Sequence, residues 1–141
     1  MSQLEAPERP KSKATSTPDL MTALLADIRA EREQFSRQGH VSREFIAKLK
    51  KARVFRACTP ACFGGDALSP VDFLKMVEKI SEADGSVGWV ASFASASIYL
   101  AALPPETQAL LYADSPDLVF AGGLFPIQPA EKVEGGYSVS G

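Results

Sequence analysis

Between Asp84 and Glu106 the chain carries no charged residue, and residues 86–100, SVGWVASFASASIYL, alternate bulky side chains with very small ones. A helix that is apolar or small on every side has no face to offer water, so such a run belongs inside a domain. It falls short of the about 20 predominantly apolar residues that a membrane span needs. Gly85 supplies a turn before it, and Ser86 is the expected N-cap, since a serine oxygen can accept from the free N–H groups of a first helical turn. Gly88, Ala91, Ser92, Ser95 and Ala96 leave room for close approach by neighbouring helices or by a flat ligand. The only tryptophan, Trp89, stands near the start of the run. By residue type it reads either as core or as a ligand platform.

The remaining numbers narrow the classes. A chain of 141 residues fits one domain, and a net charge of −2 leaves no electrostatic footprint for nucleic acid. Residues 1–16 are rich in proline and charge and hold no apolar signal-peptide core, so they read as a disordered tail. Cys58 and Cys62 flank Pro60, with neither a second cysteine pair nor a histidine pair to complete a zinc site. They are expected as packing thiols in a reducing, cytoplasmic setting. His40, the single histidine, falls in a turn between helices and is expected to be an ordinary exposed residue.

Along the chain, Thr17-Pro18-Asp19 starts a helix with a cap, a proline and an acid in its first turn. Met21, Leu24, Leu25, Ile28 and Phe35 share one face of it until Gly39 closes the segment. Ser42 opens a second helix, with Phe45, Ile46, Leu49 and Ala52 as its stripe; Lys48, Lys50, Lys51 and Arg53 around its last turns read as a solvated face. The stretch 56–70 is irregular, with a sharp turn at Gly64-Gly65. Ser69-Pro70-Val71-Asp72 begins a third helix with Leu74, Val77 and Ile80 as its buried side and Glu82 and Asp84 at a solvated end. The charge-free run is the fourth helix. Pro104-Pro105-Glu106 stops it and begins a short fifth, with Leu110, Leu111 and Tyr112 as apolar contacts. After Pro116 the period turns extended: 118–121 reads as a strand, and 132–140 as a hairpin turning at Gly135-Gly136. The fold expected is mainly α, divided into the tail 1–16, a helical domain 17–115 and, over 116–141, the start of a β domain that these strands alone do not complete.

Three motifs in order carry a family resemblance: Pro60-Ala61-Cys62-Phe63-Gly64-Gly65, then Glu82-Ala83-Asp84-Gly85-Ser86-Val87-Gly88-Trp89, then Gly135-Gly136-Tyr137-Ser138-Val139-Ser140-Gly141. Together they resemble the opening of an acyl-CoA dehydrogenase-like flavoprotein. More narrowly, they resemble the oxygenase component of two-component flavin-dependent aromatic monooxygenases, over about residues 20 to 141. The resemblance implies an N-terminal helical domain, a middle β-barrel and a C-terminal four-helix bundle, usually in tetramers. This chain would supply the first and the opening strands of the second. It further implies Trp89 facing flavin and substrate, Gly123, Leu124, Phe125 and Pro126 lining the isoalloxazine ring, and a substrate position at Ser97, where many of the monooxygenases place a histidine. Gln128 replaces a usual glycine, and Arg53 stands where the second helix normally ends in glycine.

The function so implied is the N-terminal part of a monooxygenase that hydroxylates an aromatic substrate with reduced flavin, FADH2 or FMNH2, from a partner flavin reductase. The same-fold alternative is an acyl-CoA dehydrogenase using FAD; the different-class alternative is a catalytically silent helical module. The resemblance places neither a catalytic residue nor a metal ligand on this chain, which alone is expected to be inactive. No nucleic-acid or membrane partner is expected.

Overall fold

A computed structural model describes residues 17–120, 122 and 125–140. The tail expected over 1–16 lies outside the described residues. Helix α1 (Thr17–Gln38) buries Leu24, Ile28 and Phe35. It stops at Gly39, whose φ of +70° is a backbone state glycine adopts without a Cβ penalty and whose N–H donates to the Phe35 carbonyl at 2.9 Å. Ser42 then caps α2 (Arg43–Lys51) as expected: its Oγ accepts from the Phe45 N–H at 3.2 Å. Phe35 and Phe45 meet edge to face, with centroids 4.8 Å apart. Lys48 is not merely solvated. Its Nζ lies 2.9 Å from Asp27 and 2.8 Å from Glu31, bridging α2 to α1. At 41% side-chain exposure such a bridge contributes at most about 1 kcal/mol, whereas each of Ile28, Phe45 and Leu49, fully buried, contributes about 1.5–3 kcal/mol. Apolar burial, not charge, holds the two helices together.

The end of α2 departs from rule in an instructive way. The Arg53 N–H donates to Lys50 and the Val54 N–H to Leu49, the paired bonds of a Schellman ending, and Arg53 itself takes φ +68°. A non-glycine there costs about 1–2 kcal/mol. Its guanidinium is engaged by Asp66 through two hydrogen bonds, one of them at 3.1 Å. Beyond it the chain folds back on itself: the N–H groups of Asp66, Ala67 and Leu68 donate to the carbonyls of Arg56, Thr59 and Ala57. The expected turn at Gly64-Gly65 is present. Gly64 has φ +82°, and a Cβ on Gly65 would collide with the Thr59 carbonyl. Cys58 is half-buried against the core, but Cys62 is exposed and not the packing thiol expected, because the short helical turn Ala61–Phe63 buries none of its residues.

Helix α3 (Pro70–Ala83) starts at Ser69, whose Oγ accepts from the Asp72 N–H at 3.2 Å. Its buried face is Phe73, Ile80 and Ala83; Leu74, expected inside, is 64% exposed, because the stripe is rotated by one position to let Phe73 join the core. The expected Ser86 cap is also corrected. Asp84 is the N-cap of α4 (Gly85–Ser92): its Oδ1 accepts from the N–H groups of Ser86 at 2.9 Å and Val87 at 3.0 Å. It is buried rather than at a solvated end, and Glu82 is exposed. The charge-free run is not one buried helix. It divides into α4, a tighter 3₁₀ turn Phe93–Ala96 and α5 (Ser97–Leu100). Helix α6 (Pro105–Leu111) follows, with Leu110 and Leu111 exposed and only Tyr112 buried, stacked on Phe63 at 4.9 Å.

Residues 118–120 form no strand among the described residues, so that expectation fails for want of a pairing partner; Ala121 lies outside them. The hairpin is present as β1 (Ala130–Val133) against β2 (Gly136–Val139), antiparallel, with Val133 opposite Gly136. Its turn is therefore Glu134-Gly135, one residue earlier than expected, because Gly135 at φ +81° supplies the left-handed position. Every residue of the hairpin is exposed. No helix among the described residues is long and apolar enough to cross a membrane.

Substitutions at two positions test this packing. A Cβ on Gly88 would lie 2.8 Å from the Ser81 Cα, so Gly88→Ala is expected to force α4 away from α3 and to destabilise by about 1–3 kcal/mol in urea unfolding. At position 53, Arg53→Gly removes both the strain and an ion pair that is 40% exposed on the Arg side, so the two losses nearly cancel. Arg53→Ala keeps the strain and loses the pair; its unfolding midpoint is expected to lie below that of Arg53→Gly by the equivalent of about 1 kcal/mol.

Candidate functional site

Helix α4 turns its small side inward. Val87, Gly88 and Ala91 are buried, and at 100° per residue this sets Trp89 about 150° away from their mean direction. The indole is accordingly 70% exposed, with Phe93 edge-on at 5.7 Å. After Trp89, three serines hydrogen-bond backward: Ser92 Oγ donates to the Trp89 carbonyl at 2.6 Å, Ser95 Oγ to Ser92 at 2.8 Å and Ser97 Oγ to Ala94 at 3.0 Å. Such bonds compete with the α-helical ladder, and here they accompany its tightening into the 3₁₀ turn. Ile98 and Tyr99 emerge at 72% and 69% exposure, and Tyr99 faces Phe120 at 6.3 Å.

Beneath this run lies a cleft of about 460 Å³, walled by Cys58, Pro60 and Leu68 from the loop, by Pro70 and Phe73 from α3, and by Ser95, Ser97, Ile98, Tyr99 and Ala101. No charged side chain lines it. Burial pushes the Cys58 thiol above its ordinary pKa, in keeping with an apolar wall. A shallow hollow on α3, at Val71, Leu74, Val77 and Ser81 with Lys75 and Glu78, and a smaller one between α1 and α2 lack this combination of aromatic and small polar groups.

Of the residues singled out in the sequence, Trp89, Ser97, Phe125 and Pro126 are described. Ser97 lines the cleft with its hydroxyl committed to Ala94; Trp89 does not line it but stands on the adjoining surface. Phe125 is 85% exposed and is joined to Pro126 by a cis peptide bond; Gly123 and Leu124 lie outside the described residues. Sequence reasoning missed Tyr99, Phe120 and Cys58 as parts of one surface, since their proximity is set by contacts between distant segments. His40 is exposed, with Nδ1 3.0 Å from the Gln38 carbonyl, as expected. No group of three or more His, Cys, Asp or Glu suited to a metal occurs among the described residues.

The chain is similar to several proteins whose roles are known. The indole-3-acetate monooxygenase of Pseudomonas putida is 51% identical over 134 residues, 94% of this chain and 34% of that protein. The oxygenase component of the FADH2-dependent resorcinol hydroxylase of a Rhizobium species is 33% identical, over 83% of this chain and 29% of that protein. Among solved structures, the 3-HSA hydroxylase of Rhodococcus sp. RHA1 matches with a TM-score of 0.79 at 26% identity, over 91% of this chain and 34% of that one. The chain thus spans about a third of the length of these relatives. Residues 16–109, which take in α1 to α5 and most of α6, match the acyl-CoA dehydrogenase N-terminal domain, and the chain belongs to that family.

Proposed function

We propose that this chain is the N-terminal helical layer of the oxygenase component of a flavin-dependent monooxygenase that hydroxylates an aromatic substrate of the indole-3-acetate type. A separate reductase supplies the reduced flavin. The carrying observation is an indole 70% exposed on a helix whose opposite side is fully buried, beside an uncharged cleft. The likeness to indole-3-acetate monooxygenases at 51% and 50% identity supports the substrate class. In this reading 17–115 is the helical domain and 116–141 opens the β domain of a protein that assembles as a tetramer.

The described residues fit a flavin as one wall rather than as its whole site. Trp89 and Phe125 offer exposed flat apolar rings, but no Lys or Arg occurs between Lys79 and Lys132 to neutralise a phosphate or a substrate carboxylate. Reduced flavin, when bound, supplies the activation of dioxygen: one oxygen atom enters the aromatic ring, the other leaves as water, and the two electrons come from NADH through the reductase. The chain's own part is to exclude water and to orient. Trp89 would cover the ring system and the backbone of 123–126 would line it, with apolar surface keeping solvent from the reacting oxygen. Ser97 spends its proton on the Ala94 carbonyl, which leaves its oxygen lone pairs free to accept an N–H or O–H from a ring in the cleft.

Three measurements test this. With NADH, a flavin reductase and ¹⁸O₂, the protein containing this chain is expected to convert indole-3-acetate to a product carrying one ¹⁸O, and Trp89→Ala to lower kcat/KM by about ten- to a hundredfold; absence of labelled product overturns the reading. The chain by itself is expected to bind FAD or FMN more weakly than micromolar in isothermal titration, since it holds only one wall. Saturating indole-3-acetate is expected to slow alkylation of Cys58 in the intact protein while leaving that of exposed Cys62 unchanged.

A further inference from the structure

The loop that follows α2 is fastened to a segment far along the chain. Arg56 Nε donates to Asp117 Oδ1 at 2.9 Å, and its Nη2 donates to Asp117 Oδ2, across 61 positions. Asp117 is only 5% exposed, and its own N–H is held by Ser115 Oγ at 3.1 Å. Thr59, fully buried, donates from Oγ1 to the Pro116 carbonyl at 2.9 Å. Arg53 and Asp66 pin the same loop from its other end.

This fastening joins two parts of the site. On one side the loop supplies the cleft wall of Cys58, Pro60 and Leu68. On the other, Asp117 immediately precedes 118–120, where Phe120 meets Tyr99 of the opposite wall, and the chain then runs on toward Phe125 and Pro126. The outgoing segment holds itself poorly: Val119 is 41% and Phe120 36% exposed, and the hairpin beyond is exposed throughout. The Tyr112–Phe63 stack could slide, whereas a bidentate guanidinium–carboxylate pair fixes distance and direction together. We propose that Arg56 and Asp117 are positioning residues whose ion pair sets the course of the chain as it leaves the helical layer, and thereby the placement of Phe120 against Tyr99 of the cleft wall. The consequence for flavin chemistry rests on the monooxygenase reading above; the geometric claim does not.

The test follows ring-to-ring NOEs in the chain and its variants. In Asp117→Asn the Tyr99–Phe120 cross-peaks are expected to weaken about fivefold or more, as a locally released segment would show, while the Phe35–Phe45 cross-peaks of the core keep their intensity. Lys48→Met, which removes an ion pair elsewhere, is expected to leave the Tyr99–Phe120 signal unchanged. Parent-like Tyr99–Phe120 intensity in Asp117→Asn overturns the proposal. If that variant loses the core signal too, Arg56→Lys decides: selective loss at Tyr99–Phe120 supports the proposal, and general loss or no loss overturns it. This arm needs no flavin, so its outcome stands apart from the fate of the monooxygenase reading. In the protein turning over with its reductase, Asp117→Asn is expected to lower product formed per NADH and to raise hydrogen peroxide, with KM for the aromatic substrate unchanged. Unchanged coupling beside a weakened NOE would overturn the link to the flavin wall.

Discussion

The corner at Asp84 decides what the helical layer presents to the outside. A single residue ends α3, with its N–H donating to the Ile80 carbonyl at 3.0 Å, and begins α4, with its carboxylate held by the N–H groups of Ser86 and Val87. An Asp in this role is worth about 0.5–2 kcal/mol relative to Ala, and its second oxygen lies 3.7 Å from Arg32 Nε. The directional effect matters more than the energy. Were the corner to slip by one residue, α4 would rotate by about 100°, and Trp89 would swing toward the helices that Val87, Gly88 and Ala91 now face.

The close approach of Gly88 to Ser81 depends on that corner and completes it. Gly88 and Ala91 on one side of α4 let it lie against α3, and that closeness leaves Trp89, on the opposite side, no place but outward. Trp89, Ile98 and Tyr99, together with Phe125 and Ile127 farther along, are each more than two thirds exposed. An isolated exposed hydrophobic needs no explanation, but Ile98 and Tyr99 stand side by side on the wall of the uncharged cleft, where exposed apolar surface marks a ligand or interaction site. The fully exposed hairpin adds Val133, Tyr137 and Val139 to the same account. The chain buries its core well and its last third hardly at all.

Local chemistry was legible in the sequence wherever a local rule decided the outcome. Gly39 ends α1, and Ser42 and Ser69 cap α2 and α3. The misreadings arise where near-equal local options competed. Phe73 displaced Leu74 from the core although both lie on α3, and Asp84 rather than Ser86 caps α4 because buried Asp84 can reach two N–H groups at once. At 118–120 an extended pattern without a neighbouring strand forms no ladder, since pairing is not a property of one strand. The exposure of Trp89 was the hardest to foresee: a charge-free run has the composition of a core helix, and only the arrangement of glycine and alanine against α3 shows which side is inside.

The cleft owes its character to where the charges went. The loop that forms one of its walls contains Arg53, Arg56 and Asp66, and each is engaged in a paired hydrogen bond, the middle one with buried Asp117. The loop's charges are thereby used to hold its shape, and none lines the cavity. An unpaired charge on that wall would have drawn water into the space and carried a desolvation cost with every apolar ring that entered. Pairing them does the reverse: the same residues that fasten the loop to 116–117 leave Cys58, Pro60 and Leu68 as an uncharged surface opposite Ser97 and Tyr99. The loop's fixed course and the uncharged character of the cleft are two effects of one arrangement.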